Sequence, residues 1–462
     1  MDRLFQLKAR GTNVRTELIA GFTTFMTMAY ILFVNQIFLG PNGAGMPAEA
    51  VFFATAVGAG LVTLAMGFFV NIPVALAPGM GLNAYFMSVV LSSNGAITWQ
   101  TALGAVFISG IIFIILTVTK VRQMLITAVP SSIKVGITVG IGLFIALIGF
   151  KLSNIVAISI NPGVDATVPV PGSGFNLMLG SFNPQTHPDT FLALIGLILI
   201  GVLMALKVRG ALLIGIVATT VIGGLPFLGL NVVNFGALGT SNWIPSFDNL
   251  AVGQLDIGAA LGVGLLEIIF VFTFVELFDT FGTLVGTASK AGIDVNSDQG
   301  KKTIGKAMMV DAAGVSTGAL LGTSTVTAYI ESASGVAEGG RTGLTAVTTG
   351  VLFLLSLLIL PLAGIVPAAA TAPALIIVGV LMMGAVKEVP WDDFTQALPA
   401  FLTIVFMPFT NSIANGIAAG IVSYVVIGAV YNLFSMRRIK IHWLMWVLAA
   451  LVVIRYVFFG GE

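Results

Sequence analysis

Apolar runs of about 20 residues recur from near Glu17 almost to the end of the chain. A helix of that length covers the ~30 Å of hydrocarbon in a bilayer at ~1.5 Å per residue, so the pattern restricts the fold to a polytopic membrane architecture. Of the 462 residues only 8% are charged and 57% are hydrophobic, which leaves too little polar sequence for a separate soluble catalytic domain. Cysteine is absent, and the two histidines, His187 and His442, lie in a polar loop and at the edge of the last apolar run. Thiolate chemistry and a His/Cys metal centre are thereby excluded.

Fourteen spans are expected, roughly at 18–40, 50–70, 74–91, 100–119, 130–150, 190–206 and 211–230, then 258–288, 304–321, 324–338, 343–365, 372–386, 397–410 and 412–434. Met1 to Thr16 carries Arg3, Lys8, Arg10 and Arg15 without the apolar core and cleavage site of a signal peptide, so the N-terminus is expected in the cytoplasm. All 20 basic residues except Lys151 and Arg455 then fall on the even-numbered connections, the terminal segments or the span ends beside them. The connections around Asp165 to Asp189 and Asn231 to Asp256 carry acids, Pro, Gly and Asn but no base, as translocated loops do. Residues 441–459 are apolar enough for a further span, but their paired tryptophans and Arg455 favour a helix lying at the interface.

The two halves share short identities. Ala84-Tyr85 with Ser88 recurs as Ala328-Tyr329 with Ser332, 244 residues on. Pro130 with Val135-Gly136 recurs as Pro373 with Val378-Gly379, and Gly215-Ile216-Val217 as Gly420-Ile421-Val422. An odd number of spans in each half inverts the repeat, an arrangement in which secondary transporters place substrate at broken helices near the midplane. Asn71 to Asn83 interrupts span three with two prolines and two glycines, and Leu321 to Thr327 interrupts span ten with small and β-branched residues. Paired interruption at equivalent positions points to a binding site rather than to ordinary kinks.

Span eight places Glu276 and Asp279 three residues apart on one helix face, and span ten adds Glu331. A carboxylate at mid-bilayer costs ~2.5 kcal/mol or more, so such groups usually face a cavity and serve a function. Neither stretch contains Lys or Arg. Desolvation and mutual repulsion therefore favour the protonated form, which suits carboxyls that take up and release a coupled proton. The bland alternative is that Glu276 and Asp279 stay protonated and only hydrogen-bond neighbouring hydroxyls. Asn83 either meets a ligand or caps the half-helix after the first break. Tyr329, two residues from Glu331, is the aromatic expected to stack on a planar ligand. Asp311 either bonds a neighbouring helix or sits in a wet cavity, and Glu267 is expected to be peripheral.

Taken together, GTNVRTELIAGFTTFMTMAYILFVN (Gly11 to Asn35), ALAPGMGLNAYF (Ala75 to Phe86), FVELFDTFGTLVG (Phe274 to Gly286) and TSTVTAYIESASGVAEGGRTGL (Thr323 to Leu344) resemble the AzgA-like purine permeases of the nucleobase/ascorbate transporter superfamily. The likeness covers essentially the whole chain. It implies a core domain at 1–122 (spans one to four) and 257–366 (spans eight to eleven), and a gate domain at 123–256 and 367–436, with 437–462 as an interfacial helix or extra span. Purine is then held between the broken spans and span eight. The positions matching Asn83, Glu276 and Glu331 are tied in that family to substrate recognition, and the one matching Asp279 to transport competence. Many relatives read Val-Asn-Pro where this chain has Val34-Asn35-Gln36, so a less sharply turned exit from span one is expected here.

The resulting expectation is an all-α polytopic membrane protein of two inverted seven-span repeats that imports a purine base, guanine or hypoxanthine, with a proton. Adenine is the first alternative, and an anion or a pyrimidine or xanthine on the same fold the next. Asn83, Glu276, Tyr329 and Glu331 are the expected substrate contacts, and Glu276, Asp279 and Glu331 the proton-coupling groups. No catalytic residue, metal or cofactor other than the proton is expected. The expected partners are a purine nucleobase and the lipid bilayer of the cell membrane, with a homodimer allowed and no nucleic acid.

Overall fold

Each expected span contains a helix, and several open on a side-chain cap. In the computed structural model, which describes residues 2–93, 95–119, 124, 128–160, 175–225, 230, 232–236, 250–262, 266–295, 297–435 and 438–458, Asn13 accepts from the Thr16 amide to open α1 (Val14–Met28). After a kink at Ala29 and Tyr30 the same span continues as α2 (Ile31–Leu39). It runs through Gln36 to Gly40, in line with the absence of proline there. Then follow α3 (Ala48–Ala65), β1 (Leu76–Pro78), α4 (Met80–Ser92) and α5 (Trp99–Val118). The first half closes with α6 (Ser131–Leu152), the paired strands β2 (Val156–Ile160) and β3 (Phe175–Leu179), α7 (Pro188–Ala205) and α8 (Ala211–Gly223).

The second half repeats the order. It runs α9 (Leu266–Lys290), α10 (Asp298–Leu321), β4 (Val326–Ala328), α11 (Ser332–Ala337), α12 (Gly343–Leu355), α13 (Ala368–Met383), α14 (Phe394–Phe409) and α15 (Ile413–Phe434). Among the described residues nine helices are long and apolar enough to cross a bilayer. The five other expected spans hold α4, α8, α10, α11 and α14. Of these, α4 and α11 are short because their spans are broken, and α10 starts with a polar turn around Lys301 and Lys302. Large side chains such as Ile115, Ile198, Val202 and Val426 are exposed on the outer surface, where lipid rather than water surrounds them.

The architecture is helical except for short strands, and the pair that matters joins the two halves. β1 and β4 run antiparallel with Leu76 opposite Ala328 and Pro78 opposite Val326. In this way backbone groups freed where the helices break are satisfied inside the membrane. The short identities do not mark the true repeat register. Pro130 caps α6 whereas Pro373 lies inside α13, and it is Pro367 that caps α13. Likewise Ala84-Tyr85 sits in the second turn of α4, but Ala328 ends β4. Short apolar matches arise easily in membrane sequence, whereas the order of caps and breaks follows the fold.

Packing divides into two groups. α5 lies along α10, α12 beside α1 and α3, α11 against α1, and α9 against α5, α10 and α11. Elsewhere α6 lies along α13 and α14, α14 along α15, and α7 against α8 and α13. The α6–α13 crossing needs glycine, since a Cβ on Gly379 would lie 2.5 Å from the carbonyl oxygen of Gly142. A last helix, α16 (Trp443–Phe458), returns antiparallel along α15. Its outward face is apolar, with Trp446, Val447 and Leu451 exposed, contrary to the polar face expected of an interfacial helix.

Candidate functional site

The two breaks meet at the end of β1 and are knitted together by backbone and side-chain hydrogen bonds. Gly79 donates its amide to the Thr325 carbonyl at 3.0 Å, and Tyr329 donates its amide to the Ala75 carbonyl at 3.0 Å. The Ser332 hydroxyl accepts from the Ala75 amide at 3.0 Å, and Thr63 brackets Leu76 by accepting from its amide and donating to its carbonyl. α10 approaches closely because position 314 is glycine; a Cβ there would sit 2.6 Å from the Val326 carbonyl oxygen.

Asp311, on α10 and fully buried, organises the second break. One carboxylate oxygen accepts from the Ala328 amide at 2.9 Å and lies 3.3 Å from the Thr327 hydroxyl, while the other accepts from the Thr280 hydroxyl at 2.7 Å. Thr280 stands one turn after Glu276 on the same face of α9. Its oxygen is 3.1 Å from Glu276 Oε1 and 2.9 Å from the Thr327 hydroxyl. The two threonine hydroxyls thus bring two hydrogens to four oxygen–oxygen contacts. A proton on either carboxyl adds a donor to a cluster short of donors, so this arrangement can host an exchangeable proton.

The expected site residues distribute around this cluster. Glu276 is 1% exposed and part of it. The side chain of Asp279 lies outside the described residues, although its backbone continues α9. Glu331 is half-buried at the start of α11 and accepts from the Tyr30 hydroxyl at 2.9 Å. Tyr329 is buried, and its hydroxyl donates to the Pro78 carbonyl, which ties its ring to the opposite break.

Asn83 is fully buried in a second polar network, where it donates to Asn35 and accepts from Ser324. Asn35 in turn donates to the hydroxyls of Thr55 at 2.7 Å and Thr323 at 3.1 Å. In this conformation the Asn83 amide therefore holds spans one, three and ten together. Sequence reasoning did not bring Tyr30, Asn35, Thr280 or Asp311 into the site. For Thr280 the signal was available in its spacing from Glu276, and for Asp311 in an acid within an apolar span.

A small crevice, with room for about one water, opens beside the breaks and is lined by Gly81, Leu82, Ile137, Thr138, Ile141, Val275, Phe278 and Met382. It lies where α4 and α9 face α6 and α13, that is, between the two packing groups. Val275 and Phe278 reach it from the α9 face next to the one bearing Glu276 and Thr280. Its lining side chains are apolar apart from the Thr138 hydroxyl, polar and apolar atoms share its wall, and in this conformation it is too narrow for a purine.

Comparisons with known proteins agree on the class. The chain is 45% identical to adenine permease AdeQ of Escherichia coli over 92% of this chain and 90% of that one. It is 43% identical to guanine/hypoxanthine permease PbuO of Bacillus subtilis over 92% and 94%. Among solved structures, the transmembrane domain of a cyanobacterial bicarbonate transporter, BicA, superposes with a TM-score of 0.60 at 18% identity, covering 87% of this chain and 97% of that one. That likeness establishes the inverted-repeat fold. The profile of the Permease family matches residues 15–419, and the chain belongs to that family of membrane transporters, within the nucleobase/ascorbate transporter superfamily, and not to any class of enzyme.

Proposed function

We propose that this protein imports purine nucleobases, guanine and hypoxanthine foremost, across the cell membrane by proton symport with alternating access. The observation that carries the reading is the junction of Glu276, Thr280, Asp311 and Thr327 with the second break, in a chain similar to purine permeases. An oxopurine presents ring N–H donors that Glu276 and Glu331 can accept, and its flat face suits Tyr329. Asn83 contacts substrate when the breaks loosen, and Asp279 shares in proton coupling.

Binding energy reaches the proton through Thr280. A base that donates to Glu276 competes for the same carboxylate oxygen, and the displaced hydroxyl turns fully to Asp311. Proton and substrate occupancy are thereby linked, which is what symport requires. Coupled carboxyls of this kind share the proton as a unit rather than holding it on one residue. The packing groups supply the moving bodies: segments 1–122 and 257–366 act as the core, and 123–256 and 367–436 as the gate. The concentration of Lys and Arg on one face supports a cytoplasmic position for that face and for the N-terminus.

Adenine is the second reading, favoured by the similarity to AdeQ. An anion substrate would meet the acids of the site and no base, which argues against it. The test is uptake of radiolabelled hypoxanthine and adenine into proteoliposomes, with and without an inward proton gradient, for the native protein and Glu331→Gln. Gradient-driven hypoxanthine uptake that guanine inhibits and the substitution abolishes is expected. Uptake of uracil or sulfate in place of either purine would overturn the assignment.

A further inference from the structure

We propose that α16 crosses the membrane as a fifteenth span and that Arg455 and Tyr456 near its end form a clasp over the base-poor mouth of the transport path. The sequence left Arg455 without a place among the basic residues. In the structure it forms an ion pair with Glu267 in the first turn of α9, and Tyr456 donates to Asn415 in the first turn of α15. Both partners follow connections on the base-poor face.

The other end of α16 is fixed on the basic face. Asn432, near the end of α15, donates to the Ile439 carbonyl at 2.8 Å and accepts from the Ile439 amide at 2.6 Å. Between these anchors, Asn415 to Asn432 on α15 covers ~25 Å and Trp443 to Tyr456 on α16 covers ~20 Å, at ~1.5 Å per residue. That is most of the hydrocarbon thickness. Met445, Leu448 and Ala449 face the protein and are buried, while Trp446, Val447, Leu451 and Ile454 face outward. A helix apolar on both faces belongs in lipid, because an interfacial helix needs a charged side for water and headgroups. The basic residues Arg437, Arg438 and Lys440 before it orient it with its C-terminus away from the basic face.

The clasp joins the two packing groups, since α9 belongs to one and α15, which carries α16, to the other. One other ion pair is present among the described residues, Arg209 with Glu338 at 2.6 Å. It lies on the basic face and also joins the groups, linking the α7–α8 connection to the end of α11. Among the described residues a bridge thus ties the two bodies on each side of the membrane. Rocking of one body against the other has to release one bridge at a time, so Arg455–Glu267 favours closure of the base-poor mouth and Arg209–Glu338 closure of the basic mouth. This function of the clasp rests on the alternating-access reading above, whereas the crossing itself does not.

The natural absence of cysteine allows single-cysteine tests on the full chain. Gly461→Cys and Lys440→Cys are labelled in intact cells with a membrane-impermeant maleimide. Labelling of position 461 without permeabilisation, and of position 440 only after it, is expected; labelling of both only after permeabilisation overturns the crossing. For the clasp, Thr138→Cys reports access to the crevice from outside. Its labelling rate is expected to rise at least about threefold with Glu267→Gln or Arg455→Gln, to fall with Arg209→Gln, and to return toward the starting rate in the double exchange Glu267→Arg with Arg455→Glu. An unchanged rate in both single clasp variants, or no return in the double exchange, overturns the clasp. Both readouts are independent of whether a purine is transported, so failure of the substrate assignment would show separately.

Discussion

The break at β1 meets the junction through backbone groups, whereas the break at β4 adds side chains to its backbone groups. Between Asn71 and Gly79 the chain supplies proline and glycine, and its contributions to the junction are main-chain groups: the Ala75 and Pro78 carbonyls and the Ala75, Leu76 and Gly79 amides. Between Thr323 and Ser332 it supplies hydroxyls and an acid, and recruits Asp311 and Thr280 as well. The inverted repeat therefore duplicates geometry without duplicating chemistry. One half offers a fixed frame of acceptors and donors that no proton can alter. The other half carries groups whose hydrogen bonds change when a proton arrives.

The largest effect is expected at Asp311. Asp311→Asn keeps the shape but replaces charge-assisted bonds to the Ala328 amide and the Thr280 hydroxyl; at ~1.5–3 kcal/mol for each such bond, proton-driven uptake should fall about 100-fold or more. Exchange of labelled for unlabelled substrate in the absence of a gradient separates lost coupling from lost binding. If coupled uptake survives in this variant, the second break is no more a titrating element than the first.

A smaller loss is expected from Tyr329→Phe, which strips the hydroxyl from the Pro78 carbonyl and leaves that buried acceptor to the first break alone. The cost is ~1–3 kcal/mol, read as a lower melting temperature in detergent with substrate affinity reduced by about tenfold. An equal loss of stability with unchanged affinity would make Tyr329 a strut between breaks and remove it from the ligand. Smallest of all is Pro78→Ala. The carbonyl that Tyr329 uses is retained, so uptake should remain within about twofold of the native rate, the cost being unfolded-state entropy below ~1 kcal/mol. A severe defect there would show that the proline ring itself, and not the backbone frame, is what the first break contributes.

Much of this was written along the chain. Apolar runs, charge bias and paired interruptions located the spans and both breaks because lipid imposes its rules locally: length in one dimension, satisfied backbone, and basic residues on one side. Glu276 and Glu331 were visible for the same reason, since an acid in an apolar span stands out without any knowledge of its neighbours. Only the tertiary structure decided which groups meet. Asp311 is 31 residues from Thr280 in the chain, and Asn83 is 48 from Asn35, distances over which no helical period operates. It also replaced the register suggested by short identities with one set by caps, and carried Arg455 to Glu267 across nearly the whole length of the second half. Hydropathy is a property of each residue and survives in sequence; a hydrogen-bond partner is a property of two, and exists only once the helices have packed.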